Sequence, residues 1–321
     1  MLPSSQANPI VLHKPKHYLK SSLNNSTLKA ARSITWKASR QAYLTARLFV
    51  DRKKVNDFYL AYAYFRWLDD VVDDPKVDEE KRLTFIQRQV DMVTGLFQDQ
   101  EPEHPSQNEE MIVEFVRRGK GTSKRLKPFV DDMLATIEFD ARRRGRLISE
   151  QDLDDYCVRL AASVVDGLQY FIGSKYDYPE DDDRLTAATA AQIAHLLQDT
   201  YQDLEDGIVN IPREYLEAES LKPEDIEHPQ YRKWVKERIE KARNNFDKGK
   251  AYFDTLAVLR LRMAGLWYCT RFASILNAIE REGYLLRPEY SEQRSISVWL
   301  KLLWTAFTAT VQHVMRRFFG L

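Results

Sequence analysis

The sequence has few of the residues that break helices or cross-link a chain. It holds 11 Gly, 12 Pro and only 2 Cys among 321 residues. Long stretches without Gly or Pro favour helices over sheets. Cys157 and Cys269 lie far apart and without CxxC spacing, which argues against a disulfide framework or a zinc site and favours a reducing, cytoplasmic compartment. There is no HExxH motif, and the apolar run at residues 10–12 is too short for a secretory signal.

An excess of one charge sign is also absent, because 48 Lys and Arg residues balance 48 Asp and Glu residues. A net charge of zero does not favour a nucleic acid as partner. The distribution is uneven, however, since no acidic residue precedes Asp51. We interpret residues 1–26 as a basic, polar and solvated N-terminal arm. Contact with phosphates or a membrane surface, and removal as an organelle transit peptide, are the alternatives.

Hydrophobic residues recur with the helical period along almost the whole chain, and no alternating strand pattern is convincing. Pro and Gly residues fall between the periodic segments. The pattern predicts helices at 27–49, 54–73, 79–99, 107–118, 126–144, 150–172, 185–207, 229–256, 257–282 and 293–318. Helices joined by such short links predict an all-α protein built as a single large bundle, with its main domain at residues 27–297.

Residues 298–321 form an unusually apolar C-terminal segment. Lys301, Arg316 and Arg317 interrupt it, so it falls short of the roughly 20 apolar residues that a membrane-spanning helix needs. Trp and Arg at its edges are typical of a helix that lies on a membrane surface. A last helix of the protein core is the alternative interpretation.

Two pairs of aspartates suggest the chemistry. Asp69 and Asp73 stand at i and i+4 in a helical segment, and Asp199 and Asp203 repeat this spacing 130 residues later. Carboxylates so spaced share a helix face and repel each other, and a bound cation removes that repulsion. Mg²⁺ typically binds one or two carboxylates together with substrate phosphates. We expect the pairs to face each other and hold Mg²⁺ with a diphosphate, although the first pair alone also fits a solvated acidic helix end.

Four segments, in family order, resemble motifs of the squalene and phytoene synthases. Residues 62–73 are similar to the first aspartate-rich motif, and residues 192–206, closed by 210–214, are similar to the second. Residues 156–165 resemble the family's Tyr-Cys helix, and residues 271–284 resemble a late segment that ends near a Gly-Tyr. A single DDxxD motif is weakly specific. The ordered set covers most of the chain and is strongly specific.

This resemblance implies a class I isoprenoid synthase fold and a transferase that condenses two prenyl diphosphates head to head. The implied substrates are farnesyl or geranylgeranyl diphosphate, and the implied cofactor is Mg²⁺. The implied product is of the squalene or phytoene type, formed through a cyclopropyl diphosphate, and NADPH is expected only if the product is squalene. A related class I terpene synthase or cyclase, and a non-catalytic helical binding protein on the same fold, are the alternatives.

The Tyr-Cys helix supplies the residues expected beside the reacting chains. Leu160, Val164 and Gly167 share a helical stripe with Tyr156. This stripe would line an apolar tunnel for two prenyl chains and shield an allylic cation from water. The resemblance implies a proton-handling or cation-orienting role for Tyr156. A buried tyrosine that satisfies a core hydrogen bond is the alternative.

The candidate substrate-binding residues include departures from the family pattern. Tyr62 and Arg66 share the face of the first aspartate pair and offer an aromatic ring and a guanidinium suited to phosphate. The resemblance adds Ser39, Arg40, Tyr43, Gln192, His195 and Gln198. The family usually has Ser-x-Ser-Phe where this chain has residues 40–43. It commonly has Asn and Arg at the places of His195 and Gln198, and Gly at Val165. These departures leave the product undecided.

A run of three arginines lies at the end of the fifth predicted helix. Arg142, Arg143 and Arg144 adjoin Gly145, which ends that helix. We interpret the run as a solvated surface feature, from which one side chain could reach a diphosphate.

Overall fold

The computed structural model of the chain describes residues 25–290, residue 304, residues 306–313 and residue 315. Within residues 25–290 all regular structure is helical and no strand is present, which confirms the predicted all-α fold. The predicted arm at 1–26 lies outside the described residues except for its last two. The α-helices of this part of the chain are α1 Asn25–Ala38, α2 Arg40–Leu48, α3 Val55–Asp73, α4 Glu79–Phe97, α5 Glu109–Gly119, α6 Leu126–Arg143, α7 Glu150–Phe171, α8 Thr186–Glu205, α9 Arg213–Glu219, α10 Pro229–Thr255 and α11 Leu259–Arg281.

The predicted helix at 27–49 is wrong in one respect, because the chain forms two helices that meet at Ser39. The backbone of Ser39 is extended, with φ −150° and ψ 103°. Its hydroxyl accepts a hydrogen bond from the Ala42 amide at 3.1 Å and so caps the start of α2. Helix α9 is a further element that periodicity did not predict, since seven residues are too few to show a repeat. The predicted helices from 54–73 to 257–282 agree with α3 to α8, α10 and α11 within two residues at each end.

The helices enclose two clusters of buried apolar side chains. The first lies mainly among α3, α4, α5 and α6 and includes Tyr64 and Phe115. The second lies mainly among α7, α8, α10 and α11 and includes Ile193 and Ile275. Phe253 of α10 packs against both clusters. The candidate site forms where α3 and α6 of the first cluster meet α7 and α8 of the second.

Helix α8 packs on α10 through an alanine-rich face, which contains the buried Ala187, Ala190, Ala191 and Ala194. A Cβ atom placed on Gly249 of α10 would lie 2.3 Å from the Cβ of Ala187, so this close approach requires glycine. The stripe that carries Gln192, His195, Asp199 and Asp203 is turned by roughly 130° from the alanine face. Close packing on one face therefore leaves the polar face of α8 for the site.

The described part of the C-terminal segment is helical at residue 304, residues 306–313 and residue 315. One side of it is held by the rest of the protein, because Ala309 is buried and the Arg262 guanidinium of α11 donates to Gln312 Oε1. The remainder of the predicted helix 293–318 lies outside the described residues. No helix among the described residues is both long and apolar enough to cross a membrane.

Candidate active site

The two predicted aspartate pairs line a single cavity of about 170 Å³ between α3, α6, α7 and α8. Asp69 and Asp73 come from the end of α3, and Asp199 and Asp203 from the end of α8. The other lining residues are Val72, Ile137, Asp140, Arg143, Tyr156, His195, Leu196 and Ile208. The bundle therefore brings together side chains that the sequence separates by 130 positions.

This cavity is electrostatically unfavourable for its own carboxylates. Burial, followed by the charge of Asp73, raises the pKa of Asp69 to about 7. Burial, followed by the charge of Asp199, raises the pKa of Asp203 to about 7. Desolvation and like charge both disfavour the ionised form of a carboxyl group. A cation in the cavity would therefore lower both pKa values.

Asp199 has neighbours that stabilise its charge. Burial opposes its ionisation, but His195 and Gln198 outweigh this effect, and the pKa of Asp199 is lowered. His195 Nε2 lies 2.9 Å from Asp199 Oδ2, and the Gln198 amide donates to Asp199 Oδ1 at 2.7 Å. The two residues that depart from the family pattern on this helix thus both contact one carboxylate.

Tyr156 is buried at the wall of the cavity, and its hydroxyl donates to Asp140 Oδ2 at 3.0 Å. Asp140 also accepts a hydrogen bond from Arg143 Nε at 2.7 Å. Arg143 Nη1 donates to Asn210 Oδ1 at 2.8 Å, and the Asn210 amide donates to Asp203 Oδ2 at 2.5 Å. A continuous chain of hydrogen bonds therefore connects Tyr156 with a carboxylate of α8.

Three members of this chain of hydrogen bonds, Asp140, Arg143 and Asn210, are residues that sequence reasoning missed. Asp140 follows Ile137 by three residues on α6, so an acidic side chain lies on an otherwise apolar stripe. That pattern is a usable signal for a polar group that faces a cavity. Asn210 lies in the 210–214 segment that closes the second motif, but its partner could not be read from the chain.

The surface interpretation of the arginine run is wrong for two of its three members. Arg143 is only 5% exposed and belongs to the cavity. Both Nη atoms of Arg144 donate to the backbone carbonyl of Asp73, at 3.1 and 3.2 Å. Only Arg142 is a surface side chain, paired with Glu138. The run divides because successive helical residues point in different directions, and α6 ends within it.

Tyr62, Arg66 and Ser39 lie next to the cavity but do not line it. Tyr62 and Arg66 stand about two turns and one turn, respectively, before Asp69 and Asp70 on α3. Arg66 forms an exposed ion pair with Asp70, one turn later on the same helix. Burial raises the pKa of Tyr62, and the nearby Ser39 side chain opposes this shift. The start of α2 lies against the helix that carries the first aspartate pair.

The two other predicted residues of the first helix lie away from the carboxylates. The Tyr43 ring stacks on Tyr59 with centroids 5.3 Å apart, and its hydroxyl accepts from Arg32 and Arg47. Arg40 is exposed, and its guanidinium lies over the Trp36 ring. A direct diphosphate contact by Arg40 or Tyr43 remains a prediction that this geometry does not favour.

The remaining predicted residues lie on α7 and α8, farther along these helices from the carboxylates. Gln192 is buried and donates to the Tyr268 hydroxyl at 2.8 Å. Leu160 is partly buried against the second core cluster, and Val164 lines a separate, apolar cavity. Gly167 is turned toward α6, because a Cβ there would lie 3.0 Å from the Phe129 ring. The predicted stripe of four therefore does not line one tunnel, since Gly167 faces the neighbouring helix.

The donor atoms of the cavity fit Mg²⁺, which prefers oxygen ligands. Four carboxylates from two helices are available, and the raised pKa values of Asp69 and Asp203 indicate uncompensated negative charge. No three His, Cys, Asp or Glu side chains among the described residues converge into a ready-made metal site. The assignment of metal ligands therefore stays a prediction.

A sequence model of the squalene/phytoene synthase family matches residues 36–299. The chain belongs to this family, whose members are prenyltransferases, and the resemblance drawn from its motifs is confirmed. Two bifunctional lycopene cyclase/phytoene synthases, from Gibberella fujikuroi and Fusarium fujikuroi, are each 27% identical over 225 residues. These matches cover 62% of this chain and 37% and 36% of the relatives. The chain thus spans little more than a third of the length of the curated relatives it matches.

Solved structures of similar fold include a squalene synthase from Alicyclobacillus acidocaldarius. It is 22% identical with a TM-score of 0.64, and the match covers 82% of this chain and 96% of that structure. A dehydrosqualene synthase in complex with a ligand is 16% identical with a TM-score of 0.67, covering 88% and 96% of the two chains. These likenesses confirm the predicted isoprenoid synthase fold.

Removing the charge of Asp69 should stabilise the metal-free protein at alkaline pH. Its pKa is raised from 3.8 to about 7, so the folded state binds this proton more tightly than the unfolded state does. The free energy of unfolding therefore falls as the pH rises from about 4 to about 7. We expect Asp69→Asn to raise the Tm by several degrees at pH 8, and the gain to vanish near pH 4. Thermal unfolding in EDTA, followed by circular dichroism, measures both.

Asp70→Asn serves as the matched control, because Asp70 is exposed and ion-paired with Arg66. It should show no gain in Tm at pH 8. Equal Tm values for Asp69→Asn and the unmodified protein at pH 8 would refute this description of the cavity.

Proposed function

We propose that this chain catalyses the Mg²⁺-dependent, head-to-head condensation of two farnesyl or two geranylgeranyl diphosphates to a squalene- or phytoene-type product. The observation that carries the proposal is the meeting of two carboxylate pairs, from α3 and α8, at one cavity that also contains Tyr156. Membership of the family supports the class of reaction. The relatives described above include a phytoene synthase and a squalene synthase, so both products are tested.

The first step is loss of diphosphate from one substrate. Mg²⁺ held by Asp69, Asp73, Asp199 and Asp203 would neutralise the leaving diphosphate. Arg144 lies beside Asp73, with its guanidinium 3.8 Å from the Asp73 carboxylate, and can donate to diphosphate oxygens at the same end of the cavity. Arg66 and Tyr62, one and two turns before the aspartates of α3, extend this binding surface. On α8, His195 and Gln198 orient the carboxylate of Asp199.

The allylic cation that forms must be kept from water, because water would quench it as an alcohol. Aromatic rings of α11 and α6 lie beside the cavity. The rings of Phe272 and Tyr268 pack edge to face with centroids 4.9 Å apart, and Phe272 also contacts His195. Phe139 packs on Tyr156 with ring centroids 5.5 Å apart. The negative faces of such rings can stabilise a cation without reacting with it.

Tyr156 is placed to take the proton that the first coupling releases. Formation of a cyclopropyl diphosphate breaks one C–O bond, forms two C–C bonds and expels one diphosphate and one proton. The Tyr156 O–H donates to Asp140, so a lone pair of its oxygen can accept the released proton while its own proton passes to Asp140. Burial raises the pKa of Asp140, which favours this transfer.

The second ionisation removes the diphosphate of the cyclopropyl intermediate, and rearrangement then yields the hydrocarbon. A squalene product requires a hydride from NADPH, whereas a dehydrosqualene or phytoene product requires none. Incubation with each prenyl diphosphate and Mg²⁺, with and without NADPH, identifies the product. A cyclic terpene or an alcohol would instead indicate a terpene synthase, and no diphosphate release would indicate a binding protein.

We also propose that the protein works as a peripheral protein at a cytoplasmic membrane surface. Four apolar side chains of the C-terminal segment are exposed: Trp304, Phe307, Val311 and Met315. Their spacing of three to four residues places them on one helical stripe. Gln312 instead accepts a hydrogen bond from Arg262 of α11. The helix is thus held on one side and presents an apolar stripe on another, an arrangement that suits a lipid surface and a lipid product.

The metal ligands are tested by removing one carboxylate from each pair. Asp69→Asn and Asp199→Asn should each lose diphosphate release, because Mg²⁺ would then lack a ligand beside the leaving group. Phosphate release and circular dichroism are measured on the same samples. Asp91→Asn, an exposed aspartate on α4, is the control and should keep full activity. Near-normal turnover of either site variant would overturn the assignment.

The role of Tyr156 is tested by Tyr156→Phe, which keeps the ring and removes only the hydroxyl. Proton transfer by a placed side chain contributes about 10²–10⁴-fold, so the coupled hydrocarbon should fall by at least about 10²-fold. Some diphosphate release should survive, and substrate affinity should change little. Product profile and phosphate release are followed in one reaction. An unchanged yield of hydrocarbon would show that Tyr156 is only a cavity wall.

The membrane contact is tested with vesicles of phosphatidylcholine and phosphatidylglycerol. Deleting residues 298–321, or replacing Trp304 and Phe307 together by Ser, should move the protein from the vesicles to the supernatant. Tyr176→Ser removes an exposed aromatic ring from the loop after α7 and should have no effect. Aggregation or loss of helicity on deletion, or unchanged vesicle binding of the double variant, would identify the segment as part of the core.

A further inference from the structure

A second cavity, with almost entirely apolar walls, lies along α7 and α8, away from the ends of these helices that form the candidate active site. Its walls include Val164, Val165, Phe253, Leu256, Leu261 and Gly265, from α7, α10, the turn after it and α11. Its volume is only about 30 Å³, which leaves room for about two water molecules. A prenyl chain that reaches this cavity therefore cannot place a further isoprene unit in it, because such a unit has several carbon atoms.

The two cavities lie along one face of α8 and at different levels of α7. On α8, Ala188 lines the apolar cavity and precedes Asp199 by eleven residues. On α7, Val164 lines it and follows Tyr156 by eight residues. With a rise of about 1.5 Å per residue, the apolar cavity lies roughly 12 to 16 Å from the groups of the candidate active site.

Gln192 of α8 and two aromatic residues of α11 lie between the two cavities. Gln192 lies between Ala188 and Asp199 on α8, and its amide group donates a hydrogen bond to the Tyr268 hydroxyl. Tyr268 lines the apolar cavity and packs on Phe272, which in turn contacts His195 in the carboxylate cavity. An aromatic wall of α11 therefore runs from the carboxylates to the apolar end.

The apolar end is closed by the packing of one aromatic ring. A Cβ on Gly265 would lie 2.6 Å from Phe253 Cε1, so the Phe253 ring occupies the place of a side chain on α11. Phe253 packs against both core clusters. Val165, which stands where the family has Gly, adds two further methyl groups to the wall. A rigid ring and a β-branched side chain leave little room for the wall to move.

These lengths discriminate between the two candidate substrates. An extended farnesyl chain spans roughly 15 Å and an extended geranylgeranyl chain roughly 20 Å, at about 1.3 Å of advance per C–C bond. The shorter chain reaches from the carboxylates to the apolar cavity, and the longer one passes beyond it. We infer that Phe253 and Val165 form the floor of the substrate cavity and limit the prenyl chain to the farnesyl length. This inference rests on the proposed function.

The test compares farnesyl and geranylgeranyl diphosphate as sole substrates of the full chain with Mg²⁺. A closed floor admits the shorter farnesyl chain and excludes the longer geranylgeranyl chain. We therefore expect kcat/KM to be at least about 10-fold higher for farnesyl diphosphate than for geranylgeranyl diphosphate. Phe253→Ala and Val165→Ala should each reduce that ratio by at least about 10-fold, chiefly by gain of geranylgeranyl turnover. Calorimetric binding of the two non-hydrolysable thiodiphosphates should show the same change in ratio of Kd.

Phe97→Ala is the matched control, since Phe97 is a partly buried phenylalanine at the end of α4 and lies in neither cavity. It should leave the ratio unchanged. Val165→Ala removes only two methyl groups, so it still tests the floor of the cavity if Phe253→Ala does not fold. Equal use of the two diphosphates by the unmodified protein, or an unchanged ratio in the floor variants, would overturn the inference. Consumption of neither diphosphate would overturn the proposed function and this inference with it.

Discussion

The crowding of like-charged carboxylates at the ends of α3 and α8 is the constraint around which the candidate site is organised. Asp69 and Asp203 each carry a pKa raised to about 7, chiefly because burial removes water from a charged group. The free energy that this costs must be supplied by packing elsewhere in the bundle. The alanine-rich face of α8 against α10, with Gly249 in contact with Ala187, is one place where it is supplied.

Hydrogen bonds across the cavity give its aspartate side chains different environments. Asp199 has its charge stabilised by His195 and Gln198, whereas Asp140 is held between Tyr156 and Arg143. The pKa of Asp199 is therefore lowered, whereas burial raises that of Asp140. Environment decides this difference, because an aspartate by itself has only one chemistry.

The carboxylate cavity and the apolar cavity are separated along α7, α8 and α11. Carboxylates and arginines lie at one end, while the other end is closed by Phe253 against Gly265. A prenyl diphosphate has the same division between a charged head and a hydrocarbon tail, so each cavity suits one end of such a molecule. The C-terminal segment contacts α11 through Arg262, three residues before Gly265, and so brings an exposed apolar stripe to the helix that borders the apolar end.

The sequence by itself determined the helices, the pairing of aspartates at i and i+4, and the family. These features are local or ordered along the chain, and a helix converts a spacing of four residues directly into a shared face. Predictions from the sequence were wrong where the direction of a side chain depended on the neighbouring helices. Arg143 looked like a surface residue until α6 was placed against α7, and Gly167 was assigned to the tunnel although it faces Phe129.

Only the tertiary structure decided which side chains meet. The chain from Tyr156 through Asp140, Arg143 and Asn210 to Asp203 joins α6, α7, α8 and the loop after α8. No spacing within one helix encodes such a contact, because it depends on the angle and distance between helices. The distance between the carboxylate cavity and the apolar cavity also depends on the tertiary structure, since their walls belong to different helices whose separation is set by packing across the whole bundle.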